Sequence, residues 1–90
     1  RIYHPVVLMR LAGMMERVGK PQQAISIYYL LCNTYPDVPD VETALYRMAN
    51  CYWNSYHDAV NARNCIQQMM QRFPNGPMTP FARSLLSQIR

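Results

Sequence analysis

Charge is scarce in this chain, and the little there is lies scattered. Charged residues make up 16% of the ninety positions, and the nine Lys and Arg never gather into a run. A net charge of +4 without a basic cluster or a Gly–aromatic RNA-binding signature gives no footprint for nucleic acid, and an ordinary, mildly basic surface is the plainer reading. No apolar run approaches the ~18 residues of a membrane-spanning helix, and no signal peptide is visible. No segment alternates apolar and polar residues as a half-buried strand does. No low-complexity tract or linker divides the chain.

Metal and catalytic constellations are missing in the same way. The cysteines are three, Cys32, Cys51 and Cys65, and no two form a Cys-x-x-Cys pair, so zinc and thioredoxin-like chemistry have no support. They read as small buried hydrophobes. The odd count leans toward a reducing compartment, the cytoplasm or its membrane face, and leaves the periplasm open. His4 and His57 stand in different segments with no Cys or carboxylate at ligand spacing. Asp58 follows His57, but no motif supplies an activated Ser for a triad. We therefore expect no enzyme, no catalytic or metal-binding residue, no cofactor and no small-molecule substrate.

What the chain does have is apolar residues at half its positions, enough for a packed core rather than disorder, and they recur at helical spacing. The first helix is expected over 5–18, opened by Pro5 at its first turn and striped by Leu8, Leu11, Ala12, Met15 and Val18. Gly19 stops it, because a left-handed residue costs Gly little. Pro21 opens a second helix that runs to about Tyr35, with Ala24, Ile27, Tyr28 and Leu31 inward, and Pro36 and Pro39 end it. Asp40 reads as the N-cap of a third helix over 41–54, striped by Leu45, Met48, Ala49 and Tyr52. Residues 54–57 read as a turn. A fourth helix is expected over 58–72, with Ala59, Ala62, Ile66, Met69 and Phe73 inward. Thr79 reads as the cap of a fifth whose first position is Pro80 and whose apolar face is Ala82, Leu85, Leu86 and Ile89.

These elements repeat. Tyr35-Pro36-Asp37 and Phe73-Pro74-Asn75 end the second and fourth helices, and the two prolines lie 38 positions apart. Self-similarity at such a period marks a helical repeat array. Ala12, Ala24, Tyr28 and Pro36 fall at steps of twelve, four and eight, and this pattern resembles the tetratricopeptide repeat. Small residues at 12 and 24 suit a close helix crossing, and Tyr28 fills the space beneath. The second copy is looser: Ala49 to Ala62 is thirteen, Ile66 replaces the aromatic, and the extra residue falls around 54–57. The Tyr-Pro-Asp and Phe-Pro-Asn endings resemble those of the subclass found in bacterial envelope-assembly proteins.

The resemblance implies an all-α fold of two antiparallel helical hairpins plus a C-terminal helix that covers the exposed side of the fourth, as a terminal cap does. The chain begins at Arg1 in mid-pattern, so it reads as a single domain over 1–90 and a fragment of a longer protein. The family's concave face is lined by first helices, which carries over here to Met9, Gly13, Glu16 and Arg17, and to Tyr46, Asn50, Trp53 and Asn54. These positions lie off the apolar stripes. Aromatics beside Asn and Arg suit a peptide backbone and its carboxylates. The expected function is a non-enzymatic module that binds a protein or peptide segment in this groove. In the alternative, Tyr46 and Trp53 pack inside an oligomer or against a further part of the protein, and the domain is a structural unit or spacer. The family's clamp for a C-terminal peptide needs Lys and Asn where Met9 and Gly13 stand, so that specificity does not carry over. Asp37, Asp40 and Glu42 read as capping residues in a solvated loop, with a basic partner as the lesser alternative.

Overall fold

Proline and glycine set most of the boundaries of five helices in the computed structural model, which describes residues 3–90. They are α1 (Pro5–Arg17), α2 (Pro21–Thr34), α3 (Asp40–Tyr56), α4 (Ala59–Arg72) and α5 (Thr79–Gln88). The described residues form no strand, so the fold is all-α. No helix among them is long and apolar enough to cross a membrane. Consecutive helices pack on one another from α1 to α4, α1 also touches α3, and α5 lies on both α3 and α4. The expected cover over α4 thus extends to α3.

The core is built around alanines. Ala12, Ala24, Ala44, Ala49, Ala62 and Ala82 are all fully buried, as close approach of helix axes requires. Leu31, Val41, Ile66 and Met69 fill the space between them, and Tyr28 is buried as expected. Ile25, Cys32, Ala44, Cys51 and Cys65 join this core although they lie beside the stripes read from the sequence. Val18 does not join it. It follows the last residue of α1 as its C-cap and is 59% exposed.

The backbone repeats with the sequence. Val38 N–H donates to the Tyr35 carbonyl at 3.3 Å, and Val41 N–H to that of Val38 at 3.1 Å. Thirty-eight positions later Gly76 N–H donates to Phe73 at 3.1 Å and Thr79 N–H to Gly76 at 3.2 Å. The two loops are therefore one turn used twice. This turn also corrects two expected caps. Asp40 and Thr79 are the first residues of α3 and α5, not their N-caps, and no side chain caps either helix. The turn's own backbone bonds already occupy amides that a cap would serve. The hydroxyl of Thr79 is buried with no partner.

The other correction concerns the end of α3, which runs through residues 54–56 instead of turning there. Its stop is His57, in the left-handed region at φ 51°, the counterpart of Gly19 at φ 77°. His is among the non-glycine residues found there more often than most. Lys20 N–H returns to the Met15 carbonyl at 2.8 Å, a span of five residues, whereas Asp58 N–H returns to Tyr52 at 3.0 Å, a span of six. The extra residue of the second copy lies inside that wider closing turn, within the region where the spacing places it. Asp58 is the N-cap of α4, its carboxylate accepting from Asn61 N–H at 3.0 Å.

Candidate functional site: the face shared by α1 and α3

Tyr46, Asn50 and Asn54 succeed one another at steps of four along α3 and so share one helix face. They border an open cavity of about 380 Å³ that Glu16 in the last turn of α1, Gly19 just beyond it, Pro21 and Arg47 also line. Asn54 Nδ2 donates to Asn50 Oδ1 at 3.1 Å. This pairing leaves the Asn50 amide nitrogen and the Asn54 carbonyl oxygen available to a ligand. Tyr46 leans on Phe81 of α5, ring centroids 6.2 Å apart, which ties the cavity's edge to the last helix.

Glu16 forms the base of the site. It is not an exposed groove residue, since only 15% of its side chain is accessible. Its carboxylate accepts from the Tyr28 hydroxyl at 2.5 Å and from Arg47 Nε at 3.1 Å, and it pairs with Arg47 Nη2 as well. One carboxylate thereby joins α1, α2 and α3. Burial alone would raise the Glu16 carboxyl, but hydrogen bonds from Arg47 and Tyr28 outweigh it and hold the group below the ordinary carboxylate value. Burial, and then the carboxylate, push the Tyr28 hydroxyl up. Cys51 lines the same cavity, and burial together with the Glu16 charge pushes its thiol up to about 12. It remains a thiol at neutral pH, and the thiolate is the reactive form.

The other residues expected on this face are not among those lining the cavity. Met9 is half-buried against the core. The Arg17 guanidinium extends over Gly13, Nη1 lying 3.5 Å from where a Cβ would stand. Trp53 is half-buried and meets the His57 ring edge-on at 5.1 Å. None of these four lines the cavity among the described residues. Arg47 and Cys51 do line it and were not legible as site residues. Their partner Glu16 is 31 positions from Arg47, and no local spacing reveals a contact between helices.

Glu42, expected in a solvated loop, is instead buried, and its Oε2 accepts from Met78 N–H at 2.8 Å. It holds the loop before α5. Among the described residues no three His, Cys, Asp or Glu side chains converge as a metal site would need. No family model matches the chain, and no curated protein or solved structure matches it either.

Proposed function

We propose that the domain is a protein-interaction module of two helical hairpins and a covering helix, similar to the tetratricopeptide repeat, that holds a partner segment on the α1–α3 face. The observation that carries this reading is the Asn50–Asn54 pair beside Tyr46. Two linked amides present a donor and an acceptor to a peptide backbone, and the aromatic ring supplies contact area at low entropy cost. Glu16, which lines the same cavity, is tied to both Arg47 and Tyr28, and groups held in place before a partner arrives lower the cost of binding. Met9, Gly13, Arg17 and Trp53, on the same two helices, are the positions that a longer segment would reach.

Selection from a displayed peptide library tests this reading. Enriched peptides should lose binding to Asn50→Ala and Tyr46→Ala variants whose circular dichroism is unchanged. Peptides that bind both variants as they bind the parent would refute it.

A second reading, self-association, is favoured by α1. Val7, Leu11, Met14 and Val18 follow one another at steps of four, three and four, the spacing of a helix–helix seam, and all but the half-buried Leu11 are exposed. Light scattering separates the readings: a dimer that Met14→Glu dissociates supports assembly through α1, and a monomer at high concentration opposes it.

A further inference from the structure

α2 and α4 both pack on α3 but not on each other, for no Cα of one comes within 8 Å of a Cα of the other. Between them lies a cavity of about 190 Å³, walled by Cys32 and Cys65 over a floor of Leu45 and Met48. Burial pushes both thiols up to about 11, so the walls are uncharged. This cavity is distinct from the α1–α3 site and shares no residue with it. Along α4 its rim carries Asn61, Asn64 and Gln68 and ends at Arg72, with Asn33 and Tyr29 on the α2 side.

Three features of this groove define an occupant. Its volume falls short of the roughly 300–1,000 Å³ of a small-molecule pocket, but it suffices for one side chain of something larger. The α4 rim is a line of exposed amides able to donate and accept, of which Asn61 already gives one N–H to Asp58 Oδ2 at 2.7 Å. From Asn61 to Arg72 it measures about 16 Å along the helix axis, the length of about five residues of extended chain. Arg72 is the one charged residue lining the cavity. Asp37 borders a neighbouring hollow with it, yet the one salt bridge among the described residues is that of Arg47 with Glu16. The groove therefore offers a cation that is in no salt bridge at one end and neutral amides along the rest. Tyr29, 60% exposed at the mouth, is an aromatic wall that a bound segment would cover.

We propose that the α2–α4 groove binds an extended peptide segment of about five residues, with a carboxylate at its Arg72 end and one apolar side chain seated between Cys32 and Cys65. The amides of Asn33, Asn61, Asn64 and Gln68 read its backbone, and the charge of Arg72 sets its direction.

The two thiols report on this site directly. A displayed library of random peptides is selected on the intact chain, and each enriched peptide is synthesised. Alkylation of Cys32, Cys51 and Cys65 is then followed by mass spectrometry with and without it. The expected result is a carboxylate-bearing sequence that slows alkylation of Cys32 and Cys65 and leaves Cys51 unchanged. Arg72→Gln should weaken its binding about tenfold, the loss of one charge-assisted hydrogen bond, and Asn64→Ala should weaken it by less. Both positions are exposed, so both variants fold, and Tyr46→Ala should bind as the parent does. Enrichment without carboxylates, or binding indifferent to Arg72→Gln with thiol rates unchanged, overturns the proposal. Peptides that protect Cys51 and fail on Tyr46→Ala also overturn it, while supporting the α1–α3 reading.

Discussion

Removing Glu16 should cost more than its ion pair is worth, and most of the cost should vanish when Tyr28 is replaced by phenylalanine. The Arg47 side chain is 42% exposed, so without Glu16 it turns to water, and the lost pair contributes only about 0–1 kcal/mol. Tyr28 has no such escape, being 2% exposed. Its hydroxyl, left without an acceptor, costs about 1–3 kcal/mol. Glu16→Ala should therefore destabilise the domain by about 2–3 kcal/mol. Tyr28→Phe should cost about 1 kcal/mol, because Glu16 keeps Arg47. In the Tyr28→Phe background Glu16→Ala loses only the ion pair, so the interaction energy between the two positions should be about 1–3 kcal/mol. Urea unfolding of the four proteins, followed by circular dichroism and by the fluorescence of Trp53, measures all the terms. Equal costs of Glu16→Ala in the parent and in the Tyr28→Phe background would refute the claim that the carboxylate's main task is to satisfy that hydroxyl.

The same carboxyl predicts the pH dependence. Its folded value lies below the ordinary 4.5, so its contribution is complete above about that pH and is lost as pH falls through the folded value; the stability gap between the parent and Glu16→Gln, from unfolding curves between neutral pH and pH ~3, should close on acidification, and a constant gap counts against it. Gly76→Ala should lower stability by about 1–3 kcal/mol through overpacking, since a Cβ there would collide with the Glu42 carboxylate. Glu42→Ala should relieve part of that cost in the double variant, and melting curves that add up independently would contradict the contact. The three cysteines, all free in the structure, should titrate as free thiols in denaturant without reductant, and mild oxidation should not join Cys32 to Cys65, because α2 and α4 keep their Cα atoms more than 8 Å apart and a disulfide needs less than about 7 Å. Ala24→Glu and Ala62→Glu should each leave little folded protein by circular dichroism, as both sites are fully buried and an unpaired charge adds to the overpacking.

How much of this was legible depends on whether the signal is local. Helix existence was, since Pro21, Pro36, Gly19 and Pro74 act through their own backbone. The end of α3 was not, because His57 takes a left-handed conformation with no glycine to announce it. The caps at Asp40 and Thr79 were misread for a related reason: a capping residue type shows in sequence, whereas a turn that satisfies the same amides through main-chain bonds does not. Glu42 looked solvated for want of its partner, the Met78 amide 36 positions away. The α3 face was legible, since Tyr46, Asn50 and Asn54 need only the helical period to come together.

What sequence periodicity could not supply is the difference between a residue beside a groove and one beneath it. Glu16 has the spacing of a groove residue, one turn from Gly13, yet its carboxylate points into the junction of three helices. Only the way α1 crosses α2 and α3 decides that, and the crossing is set by Ala12, Ala24 and Ala49, the small residues that let the axes approach. The same alanines thus act twice. They bring Tyr28 and Arg47 within reach of one carboxylate, and by fixing that carboxylate they hold Arg47 in the wall of the cavity that Asn50 and Asn54 also line. Enlarging Ala12 by even a methyl should for that reason disturb the α1–α3 cavity as well as stability. Ala12→Val, if it folds, should weaken peptides selected on that face and leave binding in the α2–α4 groove unchanged, because α1 contributes no residue to the second cavity.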